Sequence, residues 1–402
     1  MIKRTLQELC LNITDGKHGD CENEENSGYY FISCKDIFDG QINYKNARQI
    51  TKADFEETHK RTMLEVDDIL LTNSGTIGRM AFVTDREATT KTTFQKSVAI
   101  IKPDKQKVLP RYLYYQLQNC VPQFINSSNG SAQKNLLLST MRTFQIEIEE
   151  NREKQEKIAN TLSAYDDLIE NNQKQIKLLE EAAQRLYKEW FVDLRFPGHK
   201  NTKIVDGVPE GWNWCKLEDA IQFDPKVTLT KERMKQFVPM SALSTSSMVL
   251  DESQFTETTS NSGSKFQNGD TLLARITPCL ENGKTAYVSG LKSNEGAVGS
   301  TEYIVMRAKT INSYMVYLLA RTDEFRQSAI NSMSGSDGRQ RVKSDKLKML
   351  DYLQPTSELV KEFGKIAGPT FEKIYKLSKQ MQQAGQARDL LLPKLMSGEV
   401  EV

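Results

Sequence analysis

The sequence predicts an α+β protein in which two related compact domains are joined and separated by two long antiparallel coiled-coil helices, with pseudo-twofold character. Three observations lead there. Blocks of sequence recur in one order about half a chain apart. Each half opens with short β-like runs followed by a helix. Each half then closes on a long helical stretch, the first with a heptad seam. The expected division is residues 1–150 and 212–355 for the related domains, 151–196 and 356–402 for the helices, and 197–211 for a linker.

The repeat rests on five ordered blocks. Val66 to Thr72 parallels Asn268 to Ala274, and Gly78 to Val83 parallels Gly283 to Val288. Ser97 to Lys102 then matches Glu302 to Arg307, and Tyr112 to Leu117 matches Tyr314 to Leu319. A small, polar, basic loop follows each: Gly130 to Lys134, and Gly335 to Arg341. The offsets stay between 202 and 205, which chance dipeptide matches do not do.

In the first half, strands are expected at Tyr29–Cys34, Asp68–Thr72, Arg79–Val83 and Ser97–Lys102, where β-branched and aromatic residues alternate or cluster. In the second, Asn282-Gly283 between two apolar runs reads as a two-residue hairpin. Pro110 suits a first helical position, and Asn312 to Ile330 is the comparable helical run.

From Ile158 to Trp190 apolar residues recur at spacings of four and three. One set is Leu162, Ile169, Ile176, Ala183 and Trp190; the interleaved set is Ile158, Tyr165, Asn172, Leu179 and Leu186. This is a coiled-coil seam with a single polar member, Asn172, a residue type that fixes register and partner. Phe196-Pro-Gly198 stops the helix. In the last stretch Ile374, Leu377 and Met381 continue the pattern. Gly364, Gly368 and Pro369 argue against a helical start before Pro369, and Pro393 against an undisturbed end. Tyr187 and Phe191 fall off the first seam and suggest a second contact surface, or packing on an adjoining domain.

Composition narrows the chemistry. The 402 residues carry a net charge of +1, with 27% charged and 38% hydrophobic residues, as in an ordinary globular protein of the cytoplasm. The six cysteines form no C-x-x-C pair. The three histidines have no metal-ligand spacing. The only G-K-T, at Gly283, has Pro278 where a phosphate-binding loop needs glycine. No Asn-Pro-Pro and no Glu-x-Lys occurs. Catalysis by this chain alone is not expected.

A pseudo-twofold pair of related but unequal domains suits duplex DNA with two different half-sites at fixed spacing. The loops carry matching chemistry. Arg339 and Arg341 suit guanine edges, Gln133 and Gln340 suit adenine, and Lys134 suits a phosphate. Ser131, Ser336 and Lys343 accompany them, within the basic run from Arg339 through Lys343, Lys346 and Lys348. A second set is Asn73, Ser74, Thr76 and Arg79, with Arg275, Thr277, Asn282 and Lys284 as counterparts.

The passage Gly269 to Val288 resembles the target-recognition signature of type I restriction–modification specificity subunits. Phe196-Pro-Gly198 with Pro209-Glu-Gly-Trp212, and Leu391 to Glu399, are similar to that family as well. The resemblance implies a non-catalytic subunit that selects a bipartite, asymmetric DNA target. It implies two methyltransferase subunits that use S-adenosylmethionine on adenine N6, and ATP- and Mg-dependent restriction subunits that translocate and cut. No cofactor is expected in this chain. The alternative is a coiled-coil scaffold without sequence-specific DNA contact.

Overall fold

The computed structural model describes residues 1–38, 40–128, 135–293, 296–336 and 338–402. The chain forms two compact units. One comprises Met1–Asp167 with Ala384–Val402, the other Leu168–Gln383.

The duplication read from sequence blocks is a duplication of topology. The main sheet of the first unit runs in the order Cys10–Asp15, Val98–Pro103, Ile69–Thr72, Met80–Phe82, all antiparallel. In the second unit Ile221–Phe223, Tyr303–Ala308, Thr271–Ala274 and Thr285–Tyr287 take the same order and sense. Each unit adds a second sheet built on a parallel pair: Tyr30–Ile32 with Thr92–Phe94, and Lys235–Val238 with Ala297–Gly299. Each closes with a two-stranded ribbon, Ile2–Thr5 with Gln145–Ile148, and Asn213–Lys216 with Asp351–Gln354. The central strands are buried along their length, as at Ile69, Leu70, Leu71 and Ile100, because structure covers both faces of each main sheet.

An ion pair sits at the same place in both sheets. Asp270 is 1% exposed and receives two 2.7 Å hydrogen bonds from Nε and Nη2 of Arg307. Its counterpart Asp68 receives one 2.7 Å bond from Lys102 Nζ. Burial pushes the Asp68 carboxyl up to about 6, against the pull of Lys102. A folded-state value above the unfolded ~3.9 makes this group's contribution to stability full below that pH, and lost as pH rises toward 6. Carboxyl-carbon NMR titration is expected to find Asp68 near 6, and higher still in Lys102→Met. A midpoint at 4 or below in the native protein would contradict this.

The two long helices are α1 (Arg152–Tyr187) and α2 (Ser357–Ser397). They pair antiparallel within each unit. In the first, Ile158 and Leu162 of α1 share a core with Leu395 and Met396 of α2, and Asp166 accepts from Arg388 Nη1 at 2.7 Å. In the second, Ile176, Ala183 and Trp190 pack into the core that holds Phe363, Ile374 and Leu377, and Leu179, Leu186 and Met381 lie half-buried against it. Tyr165 and Ile169 are half-buried. Asn172 is 2% exposed and its Nδ2 donates to Gln380 Oε1 at 3.0 Å, so the polar seam residue has a matched polar partner.

The second long helix, expected over 356–402, runs continuously from Ser357 to Ser397, through Pro369 and Pro393. A proline inside a helix costs about 3 kcal/mol, which the buried face of Phe363, Ala367, Phe371 and Ile374 offsets. The glycines serve contact. A Cβ on Gly364 would lie 3.3 Å from Asn312 Nδ2, and one on Gly368 would lie 3.2 Å from the Tyr314 hydroxyl.

The run Asn312–Ile330 is two helices, Ser313–Ala320 and Asp323–Asn331. Thr322 interrupts it by accepting the Phe325 N–H at 3.2 Å, a side-chain N-cap. Asn282-Gly283 is not a two-residue hairpin. The paired strands are joined by residues 275–284, within which Gly283 N–H bonds the Leu280 carbonyl at 2.9 Å. Gly283 has φ of +78°, so it ends a turn inside a longer loop.

Finally, Tyr187 and Phe191 do not form a free docking surface. Tyr187 is 2% exposed, and its ring lies 5.3 Å from Phe191 and 6.2 Å from Phe363. Phe191 also meets Phe363 at 5.1 Å and Trp212 at 6.1 Å. A five-residue π-turn, Lys188–Val192, follows α1 directly and carries Trp190 and Phe191 into the core of the second unit.

Candidate nucleic-acid interface

In each unit the main sheet leads into one loop, and a second loop, after the helices, returns to meet it. In the second unit the strand Thr271–Ala274 opens into residues 275–284, closed at its base by Ala274 N–H on the Lys284 carbonyl at 3.0 Å. The second loop closes on itself where Ser334 and Arg341 exchange backbone bonds of 3.0 and 2.9 Å. The loops are then clasped together. Val342 N–H donates to the Arg275 carbonyl at 2.9 Å, Thr277 N–H to the Gln340 carbonyl at 3.1 Å, and Ile276 bridges Arg341. Arg275 N–H itself bonds the Glu302 carbonyl at 3.0 Å.

The first unit repeats this clasp. Leu136 N–H donates to the Asn73 carbonyl at 2.8 Å, Asn73 N–H to the Ser97 carbonyl at 3.0 Å, and Ser74 bridges Asn135. The same main-chain bonds therefore hold different side chains in the two halves. Thr76 and Arg79 are exposed here, with Arg79 Nη1 3.4 Å from the Cys34 carbonyl. Asn73 is buried, and its Oδ1 has no hydrogen-bond partner. Ser131, Gln133 and Lys134 lie outside the described residues.

In the second unit Asn282, Ser336, Arg339 and Lys343 are exposed, and Thr277 and Gln340 are half-buried. The Lys284 amine is engaged by the Met240 carbonyl at 2.9 Å. Arg275 keeps its Nε buried and without a partner.

Arg341 is the most constrained of these groups. Its Nε lies 3.0 and 2.9 Å from the two Glu302 oxygens, Nη2 lies 2.7 Å from Oε1, and Nη1 bonds the Arg339 carbonyl at 3.2 Å. The guanidinium holds the Glu302 carboxyl below the usual carboxylate range. A guanidinium has five N–H donors, so one on each terminal nitrogen stays unengaged, the fork that fits a planar two-acceptor edge. Glu302 was not foreseen as part of the site. Its carboxylate meets Arg341 across 39 positions, and only its place opposite Ser97 in the repeat hinted that the halves differ there.

The model for the "Type I restriction modification DNA specificity domain" matches residues 3–181. The type I restriction enzyme MjaIX specificity subunit of Methanocaldococcus jannaschii is 27% identical over 388 residues, covering 92% of this chain and 87% of that protein. Residues 3–181 thus match the DNA specificity domain, and the chain along nearly its whole length is similar to a specificity subunit of a type I restriction–modification system. The EcoAI specificity subunit of Escherichia coli is 34% identical over 140 residues, 34% of this chain and 24% of that protein. A crystal structure of the type I S subunit from M. genitalium has the same fold, with a TM-score of 0.60 at 15% identity over 98% of this chain and 95% of that one. The specificity subunit is the DNA-recognition component of a multisubunit system. No helix among its described residues is long and apolar enough to cross a membrane.

Proposed function

We propose that this specificity subunit reads a bipartite, asymmetric duplex target, one half-site per clasped loop pair. Two methyltransferase subunits carrying S-adenosylmethionine would then methylate adenine N6 at each half, and restriction subunits carrying ATP and Mg would act on unmodified DNA. The assembly would work in the cytoplasm, where the chromosome is. In this reading catalysis and cofactors would reside in those partners.

The observation that carries the reading is the repeated clasp: one scaffold, made twice, presents different side chains. Repetition of the scaffold suits two half-sites, and the difference in side chains suits two sequences. Arg341, fixed in plane by Glu302, is assigned to a guanine edge in the second half-site, and exposed Arg339 to the same half.

Arg341→Ala should cost about 1–3 kcal/mol on duplexes with that half-site intact. It should cost almost nothing more once the half-site is scrambled. Glu302→Gln separates reading from simple charge, since it removes a negative group beside DNA. Non-specific affinity should hold or rise while discrimination at one base pair falls. Equal losses on all duplexes would assign Arg341 to a phosphate instead.

A further inference from the structure

One cleft of the second unit lies beside the clasp and, apart from Arg275, is lined by residues outside the loops already described. Its volume is about 680 Å³, and it is lined by 224–229, Lys231, Asn261 and 263–265 with Arg275, Thr301, Tyr303 and Val305. Four cations face it: Lys226, Lys231, Lys265 and Arg275. Among the described residues none of them forms an ion pair, and the Arg275 Nε is buried without any hydrogen-bond partner. The single lining carboxylate, Asp224, is occupied, with Oδ1 accepting the Val305 N–H at 3.1 Å. Below the cations Val227, Leu229 and Val305 supply an apolar floor.

Unpaired cations converging on a cleft with an apolar floor are costly by mutual repulsion and gain from an anion. The first unit argues that this is not a general feature of the fold. There the segment after the corresponding strand carries Asp20, Glu22, Glu24 and Glu25. Its Lys17 is paired with Asp54 and Glu57, and its Arg48 with Asp20. The four cations of the cleft in the second unit have no such ion pairs among the described residues. Arg275 also joins the cleft to the recognition loops, because its carbonyl is one anchor of the clasp.

We propose that this cleft is a backbone-binding channel for one DNA strand: its lysines and Arg275 hold successive phosphates, and its apolar floor meets the deoxyribose faces. The inference rests on the DNA-reading role above and deepens it. The channel carries no sequence information; it sets the register in which Arg339 and Arg341 meet base edges. Its chemistry suits a phosphodiester or a free phosphate, and the experiment distinguishes them.

The test uses the full chain assembled with its methyltransferase subunits. Lys226→Gln, Lys231→Gln and Lys265→Gln are combined, and binding to the cognate duplex and to a half-site-scrambled duplex is followed against salt. Each phosphate contact contributes about 0.9 to the slope of log affinity against log salt, so the triple variant should be shallower by about two to three. Affinity should fall by the same factor on both duplexes, leaving the ratio between them unchanged.

A slope equal to that of the unsubstituted complex overturns the channel. If that slope is kept while inorganic pyrophosphate binds the original protein and not the triple variant, the cleft is a site for a free anion. A loss confined to the cognate duplex would make the lysines base readers. An unsubstituted complex that cannot tell the duplexes apart would refute the DNA-reading role itself, a result separable from all of these.

Discussion

Tyr187→Ala is expected to lower the stability of the second unit by about 3–5 kcal/mol, the range for emptying a buried aromatic position. Its ring is 2% exposed and lies among Phe191 and Phe363, in a cluster that continues through Trp190 and Trp212. No helix can slide to fill the space, because Asn172 is bonded to Gln380 and fixes the register of α1 on α2 in this unit. Thermal unfolding with hydrogen exchange resolved by segment would read the loss. Protection should fall in 168–192 and 357–383 while the sheet of the first unit keeps its own. An undiminished melting profile, or a loss seen only in co-purification of partners, would restore these aromatics as a docking surface.

A second large effect is expected at Arg307. Removing it strands the Asp270 carboxylate, 1% exposed, inside the sheet, and breaking one side of a buried pair costs about 3–5 kcal/mol. Arg307→Lys should recover only part of this, because an ammonium cannot make both parallel bonds. The double substitution Asp270→Asn with Arg307→Met should be less damaging than Arg307→Met alone, because no charge is left unpaired. Denaturant titration of the unsubstituted protein, Asp270→Asn, Arg307→Met and the double variant checks the cycle. Strict additivity of the two single losses would show that the groups do not depend on each other.

The fold was legible in the sequence to the extent that it repeats. Asp68–Thr72 and Asn268–Ala274, or Ser97–Lys102 and Glu302–Arg307, are short apolar strands with a charge at one end, and the structure pairs them identically. What stayed hidden was the outcome of competition between local preference and packing. Pro369 disfavours a helix locally, yet the core on both sides of it carries α2 through. Asn282-Gly283 favours a turn and makes one, but ten residues of loop surround it because Arg275 and Thr277 are clasped to the second loop. Tyr187 and Phe191 lie off the heptad by count, and that they are covered depends on Phe363 and Trp212, which periodicity within α1 does not encode.

The candidate site was legible as composition and not as convergence. The loop from Gly335 to Arg341 stood out as small, polar and basic, and its Gln340 carbonyl meets Thr277 of the first loop. That Arg341 is held by Glu302, or that Lys226, Lys231 and Lys265 open onto one cleft, depends on chain segments brought together from 30 to 40 positions apart. A lysine in a loop carries no mark of which way the folded chain will turn it.

The clasp has a consequence for how such a protein changes over time. Its bonds run from the Leu136 and Val342 amides to the Asn73 and Arg275 carbonyls, and a main-chain bond is indifferent to the side chain attached to it. A substitution at Arg339, Gln340 or Thr76 therefore alters what is presented without loosening what presents it. Most proteins must trade new chemistry against stability, because the residues that act are also residues that hold. Here the two duties fall on different atoms of the same loop, so new specificities are reachable by single steps through variants that all remain folded.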